Sequence, residues 1–224
     1  MAASGHVIGW ARPAFIFVFF TLGLQWTPGL SDSWQFSRPV FEAGAWWQLL
    51  TSQWVHLSAQ HAAVNAVALV FILLAFDQLI GWRIQAASLL GGYLGVSVMI
   101  AMDPGCASYA GASGALHGLL AGNALSVLVD RANRATTTVA AKDSLSGRHI
   151  PTRLIALVTL LILAIKLWFQ HSAAAVAPVG WLGFTTYYPA HEAGSLGGLI
   201  ATAAMSALRR DSLAKRHASQ SKNT

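Results

Sequence analysis

The sequence predicts an all-α polytopic membrane protein built as a single six-helix bundle, and three observations predict it. Hydrophobic residues make up 55% of the 224 and charged residues only 10%, a balance far too apolar for a soluble domain of this length. The apolar residues gather into runs nearly free of charge and roughly 17–25 residues long, the length that crosses ~30 Å of hydrocarbon at ~1.5 Å per helical residue. Lysines and arginines fall almost entirely between alternate runs, as cytoplasmic loops do.

The first run, residues 13–30, follows Arg12. It has the flanks of a signal peptide, but no small-x-small cleavage site follows promptly, so it is expected to be retained. The second, residues 58–80, opens on His61 and Asn65, with His56 just before it, and the third covers residues 84–102. The fourth, residues 111–129, opens on Gly111-Ala112-Ser113-Gly114. The fifth, residues 152–170, carries Lys166 about a turn from its outer end, where the ammonium is expected to snorkel to the headgroups. The sixth, residues 189–208, opens on Ala190-His191-Glu192-Ala193-Gly194. Residues 209–224 read as a basic cytoplasmic tail. No linker is long enough to bound a second domain, so residues 1–224 are expected to form one domain with its core at about residues 13–208.

Arg12, Arg83, the cluster Arg131, Arg134, Lys142, Arg148 and Arg153, and the tail residues Arg209, Arg210, Lys215, Arg216 and Lys222 share one side of a six-span chain; Arg38 alone falls on the other. Both termini are therefore expected in the cytoplasm, and the net charge of +6 reflects topology rather than nucleic-acid binding. Cys106 is the only cysteine, which excludes an internal disulfide and a cysteine-based metal site. Two outer loops stand out. Residues 32–54 hold Trp34, Trp46, Trp47 and Trp54, suited to the interface, and residues 171–188, without Lys or Arg but with Trp181, Phe184, Tyr187 and Tyr188, read as a movable cap.

Serine, histidine and asparagine are poor residues to place in hydrocarbon, so their gathering at the starts of three spans points to a site. Spans two, four and six all begin on the outer face, which puts His61, Ser113 and His191 at one depth. Asn65 follows His61 by four residues and shares its helix face. Gly114, Gly118 and Gly122, with Gly194 and Gly198, form small-xxx-small faces that let spans four and six approach closely.

A serine hydroxyl needs an adjacent base to act as a nucleophile, and His191 is the best placed. Glu192, the one acid in the outer half of a span, points about 100° away from His191 around the helix, so a dyad is expected rather than a triad. Ser113 at a helix N-terminus has free backbone N–H groups beside it, and His61 and Asn65 supply side-chain donors to the same place. No carboxylate or thiol stands near His61 to complete a metal site, and no cofactor is expected.

Together, the HxxxN of span two, the GxSG of span four and the AHxxGxxxG of span six resemble the rhomboid intramembrane serine proteases, over about residues 46–208. The resemblance implies Ser113 as nucleophile, His191 as general base, and His61 and Asn65 as oxyanion-hole side chains; His56 matches a further histidine, and Gly111 opens the serine motif. Trp47-Gln48 stands where many rhomboids have Trp-Arg, so the first outer loop is expected to lack its usual anchor. His117 stands where many bacterial rhomboids have a tyrosine that packs on the base. The string from Ser113 to Gly118 resembles the rhombosortase branch instead, which implies a bacterial inner-membrane enzyme. Its active site would open to the periplasm, and its membrane-anchored substrates would carry a glycine-rich motif, a hydrophobic span and basic residues at the C-terminus. Two other readings are an inactive relative that binds or escorts membrane clients, and a transporter, which the apolar inner halves of spans two, four and six speak against.

Overall fold

The computed structural model describes residues 23–24, 27, 29–129, 152–173 and 187–220. Most of the expected first span, the basic loop residues from Arg131 to Arg148, the cap residues Trp181 and Phe184, and Lys222 lie outside the described residues. In chain order the elements are α1 (Leu30–Trp34), β1 (Phe36–Ser37), α2 (Arg38–Glu42), α3 (Gln48–Thr51), α4 (Ala59–Phe76), α5 (Trp82–Met102), β2 (Ser108–Tyr109), α6 (Ser113–Val129), α7 (Thr152–Ala173) and α8 (Tyr188–Gln220). Among the described residues three helices are long and apolar enough to cross a membrane, Ala59–Phe76, Trp82–Met102 and Thr152–Ser172; Ser113–Val129 is apolar but shorter. The protein is a mostly helical membrane protein.

Helices α5, α6 and α8 pack through glycine. A Cβ added at Gly118 would lie 2.5 Å from both Gly92 Cα on α5 and Gly194 O on α8, and one added at Gly198 would lie 2.1 Å from Gly118 O. Gly91 and Gly197 meet in the same way, so α5 contributes a third small-residue face beyond the two legible as repeats. Backbones at this separation replace the hydrophobic drive that lipid withholds. By contrast α4 and α7 meet α6 through bulky side chains, including Leu69, Leu73, Leu116, Leu119 and Leu160, which hold these helices further out.

Polar side chains tie the inner halves together. The Ser88 and Thr202 hydroxyls are 2.7 Å apart, and Asn123 Nδ2 donates to Gln85 Oε1 at 3.2 Å, all four residues being fully buried. Interhelical bonds of this kind contribute about 0.6 kcal/mol each in membranes, reaching ~1.7. The expectation of apolar inner halves is met by α4 and corrected for α6 and α8. Asn123 and Thr202 bond Gln85 and Ser88 on the neighbouring helix, and Ser126 is fully buried as well, so the hydropathy of the runs hides them.

The outer end differs from a purely helical plan. β1 and β2 form a two-residue antiparallel ladder, Phe36 opposite Tyr109 and Ser37 opposite Ser108, and Phe36 is completely buried among Val96, Ile100, Cys106 and Ala190. The Arg38 guanidinium donates to the carbonyls of Ile100, Ala101, Asp103 and Cys106 and lies 4.9 Å from the Phe36 ring centroid. Ile100 and Ala101 lie in the last turn of α5, whose carbonyls lack intrahelical partners, and Asp103 is its C-cap, so Arg38 caps the end of this helix. Gln48, 2% exposed, accepts from Ser37 N–H and donates to Ser33 O. The first outer loop is therefore anchored after all, by an amide and a displaced arginine. At the other end α8 runs unbroken to Gln220, so much of the expected tail is helical.

Candidate active site

Two local devices set the site. Ser58 caps α4, its hydroxyl accepting from His61 N–H at 3.1 Å, which starts the helix so that His61 and Asn65 lie on its first two turns. Gly111 has φ +121°, a conformation L side chains avoid, and a Cβ there would meet His61 Cε1 at 2.6 Å. Its N–H bonds Ser52 O and its carbonyl accepts from the buried Tyr109 hydroxyl at 2.9 Å. Burial raises the Tyr109 phenol well above its usual range, which keeps it a donor. The turn delivers Ser113 as the first residue of α6.

His56 stands behind this turn. Burial, and then His61 beside it, push its pKa down to about 3, so the ring is neutral. Its Nε2 faces Ala112 N–H at 3.4 Å and must accept, which leaves the proton on a buried Nδ1 that has no partner. The His56 and His61 rings meet edge to face at 4.9 Å. His56 supports the Gly111 turn and His61 from outside the cavity.

Ser113 Oγ lies 2.9 Å from His191 Nε2. His117 stacks on His191 at 4.1 Å with the rings 10° from parallel, and its Nδ1 is 2.6 Å from Ser113 O. Glu192 pairs with His171 at 3.0 Å and takes no part in this cluster. Its place beside His191 is taken by Gln170, whose Oε1 lies 3.0 Å from His191 Nδ1. Lys166 Nζ reaches His117 Nε2 at 2.6 Å and Gln170 Oε1 at 3.2 Å. Lys166 thus turns to the cluster instead of snorkelling to the headgroups, because two acceptors within its reach solvate the ammonium.

These groups share one end of a cavity of about 600 Å³ whose walls are the bulky side chains that hold α4 and α7 off α6, such as Ile72, Leu120 and Ile162. Asn65 also lines it; the residue is 5% exposed, and its Nδ2 is buried without a partner. Among the described residues no group of three His, Cys, Asp or Glu side chains is placed to hold a metal ion.

The family model of the Rhomboid domain matches residues 43–208. The chain belongs to the rhomboid family. Rhomboids are in general serine intramembrane proteases acting on membrane-protein substrates within the bilayer, and some members are inactive. Nothing among curated proteins or solved structures matches the chain. The matched stretch takes in every cluster residue from His56 to His191. In this rhomboid the ring stacked under His191 is an imidazole, His117, and its far nitrogen meets Lys166. Lys166 and Gln170 were invisible as site residues in sequence. Their one signal was a charge inside an apolar run, followed four residues later by an amide on the same helix face.

Proposed function

We propose that this rhomboid is an active intramembrane serine endopeptidase in which Ser113 is the nucleophile and His191 the general base. The observation that carries the reading is the 2.9 Å contact between Ser113 Oγ and His191 Nε2 in the wall of the cavity. Ser113 Oγ attacks the scissile carbonyl as its proton passes to His191 Nε2. The oxyanion is met by Asn65, whose amide donor is buried without an acceptor, with His61 and the backbone N–H groups of the first α6 turn. His191 then returns the proton to the leaving amine, and water, deprotonated by the same nitrogen, releases the acyl group. An inactive client-binding relative has no need of the hydroxyl–imidazole contact, nor a partnerless amide in the cavity.

In this reading residues 1–224 form one six-span domain in a bacterial inner membrane, with both termini cytoplasmic and the cavity opening to the periplasm. The substrates are exported proteins cleaved in a rhombosortase-like way, near a glycine-rich junction preceding a C-terminal membrane tail. A serine can attack only extended backbone, and glycine lowers helix propensity by about 1 kcal/mol relative to alanine, so such a junction unwinds readily. Neither a cofactor nor nucleic acid takes part.

The test is co-expression of a reporter bearing a Gly-rich C-terminal tail with native or Ser113→Ala protein, followed by sequencing of the new C-terminus. The native protein should release the reporter and the variant should not. Cleavage confined to reporters with an N-terminal signal anchor, the Gly-rich tail staying intact, removes the sorting specificity and leaves a general rhomboid protease.

A further inference from the structure

The hydrogen-bond partners around His191 fix the proton positions by elimination. A lysine ammonium only donates, so the Gln170 atom it meets at 3.2 Å must be the carbonyl oxygen. That same oxygen faces His191 Nδ1 at 3.0 Å, and an oxygen acceptor requires a hydrogen on Nδ1. Nε2 of His191 is then bare, and it is the nitrogen 2.9 Å from Ser113 Oγ. The second imidazole obeys the same logic. Its Nε2 accepts from Lys166 at 2.6 Å, so its Nδ1 carries the hydrogen and donates to the Ser113 carbonyl at 2.6 Å. One ammonium, reached from α7, therefore dictates which nitrogen of both rings is protonated.

We propose that Gln170 is the positioning residue of the base, its amide oxygen holding His191 as the Nδ1–H tautomer, and that Lys166 fixes which end of that amide faces the ring. The proposal rests on the Ser113–His191 reading above. Gln170 fills the place that a carboxylate takes in a serine–histidine–acid triad, with the difference that an amide can be turned the wrong way round. Turned, it would offer NH2 to Nδ1, draw the hydrogen to Nε2 and leave no lone pair for the Ser113 proton. Lys166 excludes that orientation because an NH2 group and an ammonium cannot bond. Neither residue touches the reacting atoms, and Gln170 also lies on α7, a helix only 11% buried over its apolar window.

A fluorophosphonate reports the step directly and needs no known substrate: Ser113 Oγ bonds to phosphorus, fluoride leaves, and the hydroxyl proton passes to His191 Nε2. On the purified full-length protein, Gln170→Leu and Gln170→Met should lower the limiting labelling rate about 10- to 100-fold, the scale on which outer partners that orient a histidine act. The half-saturating probe concentration should stay in place. Gln170→Glu keeps an acceptor and should retain most of the rate. Lys166→Met should slow labelling in the native background and much less in the Gln170→Glu background, because a carboxylate has no wrong way round; packing alone would cost the same in both. Native limiting rates in Gln170→Leu and Gln170→Met, with Ser113→Ala unlabelled, overturn the positioning role and spare the dyad. Undiminished labelling of Ser113→Ala, or none of the native protein, overturns the dyad and this proposal with it.

Discussion

At the scale of single residues the site divides by what each side chain costs the membrane. Ser113, His61, Asn65 and His191 were legible as a candidate site because four such residues at three helix starts are costly in hydrocarbon. Gln170 was not, since one amide near the end of a span reads as an interfacial residue, and only the tertiary fold puts it beside His191. The nucleophile and base should act as a unit: Ser113→Ala and His191→Ala each abolish cleavage, and the double variant is no worse than either. Asn65→Ala should cost on the order of 10²–10³ in turnover while Ser113 still labels with a fluorophosphonate. Native turnover in both Asn65→Ala and His61→Ala would leave the oxyanion to the backbone alone. His56 is a different kind of residue, buried and neutral. Its pKa falls from 6.5 when unfolded to about 3 in the fold, so the unfolded chain takes up the proton first and stability declines as pH drops below about 6.5 toward 3. The melting temperature of the detergent-solubilised protein should fall over that window, and His56→Gln should flatten the slope. An unchanged slope assigns the acid sensitivity elsewhere.

Between elements, two kinds of packing decide where the cavity lies. Glycine faces close α5, α6 and α8 to backbone contact, whereas leucine and isoleucine hold α4 and α7 away from α6 and leave the space beside Ser113. The repeats Gly114-Gly118-Gly122 and Gly194-Gly198 were readable as periods of four. Gly91, Gly92 and Gly95 on α5 were not, because their role depends on which helix they face. Gly118 lies at the shared crossing, so Gly118→Ala must push Gly92 and Gly194 apart. Overpacking of this sort costs about 1–3 kcal/mol, and here it also widens the Ser113–His191 separation. Gly118→Ala should therefore lower the melting temperature and slow fluorophosphonate labelling together. The exposed Gly23, where an added Cβ meets nothing within 4 Å, supplies the control, and Gly23→Ala should lower neither. The anchor of the first outer loop is not legible from Trp47-Gln48, because the cap on α5 comes from Arg38, further back in the chain. Arg38→Met should unsatisfy several carbonyls at the end of α5, where bonds to a charged group are worth about 1.5–3 kcal/mol each.

For the whole molecule, a guanidinium committed to four backbone carbonyls has a structural reason for its place, so Arg38 does not count against the proposed orientation. Helix α8 is 33 residues long. At ~1.5 Å per residue the helix is roughly 50 Å long, some 20 Å more than the hydrocarbon it must cross. With His191 in its first turn, the excess emerges at the opposite end, where Arg209, Arg210 and Lys215 stand. A helix holds those cations poorly in lipid, so the proposed orientation sets cavity and basic end on opposite faces, with the basic end in the cytoplasm. Cys106 makes this testable, since burial pushes its thiol up to about 11 and keeps it unreactive, and Cys106→Ala removes it altogether. In that background, Trp46→Cys, at a position 66% exposed between α2 and α3, should react with a membrane-impermeant maleimide on intact spheroplasts. Ser212→Cys, on the exposed end of α8, should react only after the membrane is opened. Reaction of Ser212→Cys in sealed spheroplasts, with Trp46→Cys protected, would invert the protein and place the cavity, and any substrate bond it cleaves, on the cytoplasmic side.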